Sequence, residues 1–289
     1  RFRWLSILKG VCIILLPLLF LAGIFSLYNP LPMISNPYIT IDNIQINPQV
    51  KTTVYKPGDL LPQPRQGETL KRVLESGVLR VGYNPQVVPF CFENNFKNLA
   101  GYDVAFAYAL AKDLGCALEF IPLSFQYLGE EIQKGLYDIG MADISITEER
   151  LKQVLFTDPY VDSKIVFVMR KKFSKEISSV ADILVTPQMN VCVLEGTSHD
   201  TIARLLFPKD RIVPIQDYDE FAKQYPNNVL ILGELQAIAW SLGYPNFTVV
   251  IPTLSLGGET LAYAIAPGSE RFLSFLNVWL KLKKNDQFT

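Results

Sequence analysis

The chain has 289 residues, enough for one large or two medium domains with real hydrophobic cores. Its 27 Lys and Arg stand against 28 Asp and Glu, so it has neither the basic excess of a nucleic-acid binder nor the acidic excess of a disordered tail. Four cysteines (Cys12, Cys91, Cys116 and Cys192) form no CxxC pair and have no histidine at ligand spacing, so no metal and no cofactor is expected.

In chain order, residues 11–28 come first, eighteen positions without a charge. A helix needs about twenty apolar residues to cross a bilayer, and the preceding apolar WLSIL supplies the remainder. Arg1, Arg3 and Lys9 precede the stretch and no Lys or Arg follows until Lys51. The positive-inside rule then places the N-terminus in the cytoplasm and the rest outside the inner membrane. A cleaved signal peptide competes with this anchor, but no small-x-small cleavage site follows clearly, and Ile24 stands where a lipidated cysteine would be. Arg1 in place of Met, and a final helix that runs to the end, suggest a piece of a longer chain. Residues 29–67 hold seven prolines (Pro30, Pro32, Pro37, Pro48, Pro57, Pro62 and Pro64) and read as an extended linker, with a short strand over 39–46.

From residue 68 the pattern becomes α/β. Helices are expected over 70–76, closed by Gly77, over 102–114, stopped by Gly115, and over 128–134, stopped by Gly135. Strands are expected over 78–82, 117–122, 137–145 and 161–169, with a short helix at 147–154. The alternation restarts with strands at 191–194, 211–215, 229–232, 248–251 and 261–266, a helix from Gly196-Thr197-Ser198 to 206, and a last helix over 271–283. Two successive α/β units predict parallel-type sheets in two lobes with a ligand cleft at the carboxyl ends of the strands.

Six phrases occur in order: VLRVGY at 78–83, PFCF at 89–92, AGYDV at 100–104, GLYDI at 135–139, SITEER at 145–150 and FTDPY at 156–160. In order and spacing they resemble the family 3 extracellular solute-binding proteins, over about residues 68–289. That resemblance implies a two-lobed periplasmic-binding-protein fold of type II, here behind an N-terminal transmembrane helix. Lobe 1 is expected over 68–167 and 259–289, and lobe 2 over 168–258. The phrase AWSLGYP at 239–245, with the membrane helix, also resembles binding domains that follow a sodium/dicarboxylate symporter in one chain.

The resemblance assigns roles residue by residue. Arg150 corresponds to the arginine that pairs with the ligand's α-carboxylate; read alone, an arginine in a polar first turn is a solvated charge. Ser145 is expected to reach the same carboxylate. Gly196, Thr197 and Ser198 open a helix whose N-terminus offers free N–H groups, although Thr197 or Ser198 as a plain cap explains them equally. Phe125 corresponds to an aromatic that stacks on the ligand, and Asn84 and Phe90 lie in a loop that lines the cleft. Glu234 falls near the acid that receives the ligand's ammonium group. His199, the one histidine, reads as a surface helix residue. Two positions depart from the family: Asp143, a carboxylate where a carboxylate ligand would be repelled, and Val87, which replaces an aromatic clamp. Cys91 and Cys116 are a candidate disulfide.

The implied function is a membrane-anchored binding protein that closes on an amino acid or related carboxylate. Its partners would be a transporter permease or a fused symporter, with no nucleic acid involved. Two alternatives follow from the same resemblance. One is the sensor or regulatory lobe of a lytic transglycosylase or kinase. The other is a dehydratase of prephenate-like acids, with Asp143 or Glu234 as general acid.

Overall fold

The computed structural model describes residues 43–285, so the expected membrane helix over 11–28 lies outside the described residues. Among the described residues no helix is long and apolar enough to cross a membrane.

The first lobe is built on a six-stranded sheet. Its order from edge to edge is β1 (Thr52–Val54), β6 (Ala117–Pro122), β2 (Val78–Tyr83), β7 (Ile139–Gly140), β15 (Ala264–Ile265) and β8 (Leu155–Phe156). The first four are parallel; β15 runs antiparallel to its neighbours. Leu79 and Val81 of β2 have no exposed surface, as expected of a central strand covered on both faces. Helix α1 (Thr69–Ser76) starts on the Glu68 carboxylate, which accepts the N–H groups of Leu70 and Lys71, and ends on Gly77 at φ 64°. Helix α2 (Tyr102–Asp113) buries Val104, Phe106, Leu110 and Ala111 in the lobe's core. A small meander, β3 (Gln86–Val87), β4 (Cys91–Glu93) and β5 (Leu99–Ala100), lies between β2 and α2 in the chain.

The second lobe has its own sheet: β11 (Ile212–Ile215), β10 (Val191–Leu194), β12 (Val229–Gly233), β9 (Val161–Arg170) and β13 (Phe247–Val250). It separates two apolar cores, one around Phe167 and Val191, the other around Phe221, Trp240 and Phe247. The chain enters along β9 and returns along β14 (Gly258–Leu261), which pairs antiparallel with the first residues of β9. These two adjacent strands connect the lobes, and they explain why the sheets are mixed rather than all parallel: a chain that must leave and return beside itself does so in opposite directions.

Four expectations need correction. The segment expected as a linker contributes to the fold: β1 pairs with β6 over Thr52–Val54, and the Arg65 N–H donates to the Gly135 carbonyl. The described part of 39–46 forms no strand. The strand expected over 137–145 is interrupted, because Asp143 has φ 53°, which breaks an extended run; only β7 and an isolated bridge from Ser145 to Leu261 remain. Cys91, Cys116 and Cys192 are buried free thiols, so the candidate disulfide is absent.

Candidate functional site

Where the lobes meet, the helices that follow the strands present their first turns. In lobe 1, Thr147 caps α4 (Glu148–Leu151), its hydroxyl accepting the Arg150 N–H at 3.2 Å. In lobe 2, Thr197 caps α6 (Ser198–Leu206), and its hydroxyl also donates to the Leu194 carbonyl at 2.7 Å. Gly196 has φ 76°, and a Cβ there would lie 2.9 Å from the Gln126 backbone of lobe 1, so only glycine permits this approach.

Arg150 ties the two halves. Its Nη1 donates to the Ser145 carbonyl at 2.9 Å and its Nη2 to the Gly196 carbonyl at 3.4 Å, with the guanidinium 6.0 Å from the Phe125 ring centre. Burial lowers its pKa to about 10, opposed by the attraction of Glu149, Asp143 and Glu259, so it stays a cation at neutral pH. Phe125 packs against the cores of both lobes.

A narrow cavity, with about 10 Å³ of space open to solvent, lies here. Lobe 1 lines it with Val87, Phe125, Asp143, Ser145 and Arg150; lobe 2 with Thr197, Ser198, His199, Tyr218 and Gln236. Arg150, Phe125, Thr197 and Ser198 also border a second cavity of about 180 Å³. Across the first, the Ser145 and Ser198 hydroxyls are 3.0 Å apart. Ser145 Oγ also donates to Glu259 Oε2 at 3.0 Å, and His199 Nε2 lies 3.1 Å from the same oxygen.

The carboxylates divide into two kinds. Burial alone would raise the pKa of Glu259, but His199, Ser145 and Ser163 outweigh it and hold the value below the usual range. Asp143 goes the other way: burial first, then the nearby Glu259 and Asp103, push its pKa well above the ordinary value, against a pull from Arg150. Its Oδ1 is buried without a hydrogen-bond partner, and its backbone is held in the left-handed region by an N–H donated to Asp103 Oδ2 at 2.9 Å. Residues held in such strained conformations concentrate at functional sites.

The structure thus brings Arg150, Ser145, Phe125, Asp143, Thr197 and Ser198 to one cavity, with Gly196 at its edge. It does not bring the others. Phe90 is buried in the lobe 1 core, edge-on to Tyr102 and Tyr160. The Asn84 side chain caps its own turn through the Gln86 N–H and does not line the cavity. Glu234 does not line the cavity; the carboxylate that Ser145 and His199 hold is Glu259 of β14. Gly233, the last residue of β12, leaves room for that carboxylate, since a Cβ there would overlap it. His199 is not a surface residue: it is 5% exposed, because its face of α6 turns toward the returning strand. Sequence reasoning passed over Tyr218 and Gln236, in the first turns of α7 (Tyr218–Gln224) and α8 (Glu234–Gly243). The signal was their position just after a strand. For Glu259 it was an acid within an otherwise apolar return segment.

The family model for bacterial extracellular solute-binding proteins, family 3, matches residues 79–288. The chain is 28% identical over 221 residues to cyclohexadienyl dehydratase of Pseudomonas aeruginosa, covering 75% of this chain and 81% of that protein. It is also 28% identical over 215 residues to the L-cystine-binding protein TcyJ of Escherichia coli, covering 72% and 78%. Among solved structures, an ancestral amino acid-binding protein described as a precursor of cyclohexadienyl dehydratase matches with TM-score 0.68 and 30% identity, over 76% of this chain and 95% of that one. Holo ArgBP from T. maritima matches with TM-score 0.67 and 25% identity, over 74% and 93%. Both support the two-lobed type II fold.

Proposed function

Because the chain belongs to the bacterial extracellular solute-binding proteins of family 3, we propose that it closes on a single amino acid in the interlobe cavity. One observation carries this reading: a buried arginine and the N-terminus of α6 converge on one side of a small cavity into which a buried carboxylate with an unpartnered oxygen also faces. An α-carboxylate satisfies the first pair and an α-ammonium the second. Relatives that bind cystine or arginine support the ligand class. Arg150 donates to two carbonyls, one from each lobe, and a ligand carboxylate offers the guanidinium a charged acceptor instead. The test is calorimetric titration of the full chain in detergent with the common amino acids. Binding of at least one, and its loss by about a hundredfold or more in Arg150→Ala, is expected. An unchanged affinity in that variant would refute the carboxylate assignment.

The same proposal places residues 11–28 as an anchor, the binding domain outside the inner membrane, and a transporter permease or fused symporter as the receiver. Membrane fractionation and protease accessibility of the full chain check this part; release of the intact chain by a salt wash would overturn it.

A second reading has its own observation. Burial pushes the pKa of Asp143 well above the ordinary carboxylate range, which favours the carboxylic acid form that a dehydratase requires to protonate a departing hydroxyl. The match to cyclohexadienyl dehydratase points the same way. Turnover of a cyclohexadienyl acid that disappears in Asp143→Asn would establish it; absence of turnover with retained amino-acid binding would leave the first reading.

A further inference from the structure

Two atoms of the cavity wall are buried without a hydrogen-bond partner, Asp143 Oδ1 and Gln236 Nε2. The ammonium group accounts for the first. Nothing assigned so far accounts for the second. Gln236 lies in the first turn of α8 and is 3% exposed. Its Oε1 is 3.5 Å from the Tyr218 hydroxyl, which fixes the carboxamide against the cavity. A buried donor left unpaired is a standing cost, and a binding cavity is where a ligand atom removes it.

We infer that Gln236, positioned by Tyr218, reads the side chain of the bound amino acid and selects a neutral polar one, a carboxamide or a hydroxyl. The inference rests on the amino-acid reading above. An apolar side chain leaves Nε2 unpaired. A side-chain carboxylate joins Asp143, Glu259 and Asp103 in a space with one buried arginine. A side-chain cation offers only donors to a donor. Carboxamides and hydroxyls carry both a donor and an acceptor, so they pair with Gln236 in either orientation of its amide. Glu259 does not line the cavity, and its Oε2 is held by Ser145 and His199.

The experiment titrates the full chain in detergent with L-glutamine, L-asparagine and L-serine, and with L-methionine, L-alanine, L-glutamate and L-lysine as comparators. At least one neutral polar amino acid should bind about tenfold or more tighter than its apolar counterpart. Gln236→Leu should abolish that ratio. Gln236→Glu, which keeps a polar side chain of the same length, should shift preference toward L-lysine; it carries the test if the leucine variant does not fold. Equal binding of polar and apolar partners, tighter binding of L-lysine to the parent chain, or a ratio that survives in Gln236→Leu would each overturn the assignment while leaving amino-acid binding intact. If no amino acid binds, both the reading and this inference fall.

Discussion

Asp138 and Asp143 lie on either side of β7, five residues apart; Asp138 is buried and Asp143 is half-buried with its Oδ1 shut away from water, but they are treated in opposite ways. Asp138 accepts Arg65 Nη2 at 2.5 Å, Arg72 Nη2 at 2.6 Å and the Arg80 N–H at 2.8 Å. Asp143 keeps one oxygen without a partner, and the charges acting on it are two carboxylates against one arginine. A buried charge is tolerable when its lone pairs are met by donors. Asp138 meets that condition within the apo fold and fastens α1, β2 and the segment before α1 together. Asp143 does not, and the shortfall falls in the cavity where a cationic group can make it good. The saturated carboxylate belongs to stability, the unsaturated one to binding.

That contrast can be broken by substitution. Asp138→Ala should have the largest effect, a loss of about 3–5 kcal/mol in urea unfolding, because two arginines lose their shared partner. A loss below about 1 kcal/mol would mean that the arginines find water instead. Asp143→Asn should split the two properties: the apo chain gains roughly 1 kcal/mol in the same measurement, while amino-acid affinity falls. If it destabilises the apo chain as Asp138→Ala does, the contrast is wrong. Gly196→Ala should leave the melting temperature within a few degrees but weaken ligand binding about tenfold, since positive φ and the approach to Gln126 are features of the joined lobes.

A pH-dependent effect concerns Asp103, whose pKa is raised by burial to about 7, against the lowering influence of the Asp143 N–H and the Tyr263 and Tyr160 hydroxyls. The unfolded chain releases this proton near pH 4. Between those values the folded state holds more protons, so the contribution of Asp103 to stability is fully present below about pH 4 and declines as pH rises to about 7. The stability of Asp103→Asn relative to the parent should therefore increase across that window and level off above it. A difference that does not vary with pH would show that Asp103 titrates normally.

The stretch around β7 also shows what was legible beforehand. GLYDI and SITEER, read as phrases, led to Arg150 and Ser145, because strand ends and glycine stops are local signals. They also led to suspicion of Asp143, though not to its left-handed backbone, which depends on the N–H it donates to Asp103. The histidine was misplaced because helix periodicity does not say which element covers a face. Glu234 was preferred over Glu259 because adjacency to a strand end is visible in sequence and a returning strand is not. The proline-rich stretch was read as a tether because proline excludes helix but does not exclude an edge strand.

By itself, then, the sequence determined the alternation of strands and helices, the apolar runs that become two sheets, and the polar helix starts that gather at one end of each. These follow from nearest-neighbour chemistry: hydrophobic spacing, capping and turn residues. Only the tertiary structure decided which carboxylates are saturated, that His199 and Ser145 share Glu259, and that Gln236 is left with an unmade hydrogen bond. Those facts depend on distances between residues tens of positions apart, across two lobes, and such distances are set by packing rather than by local order.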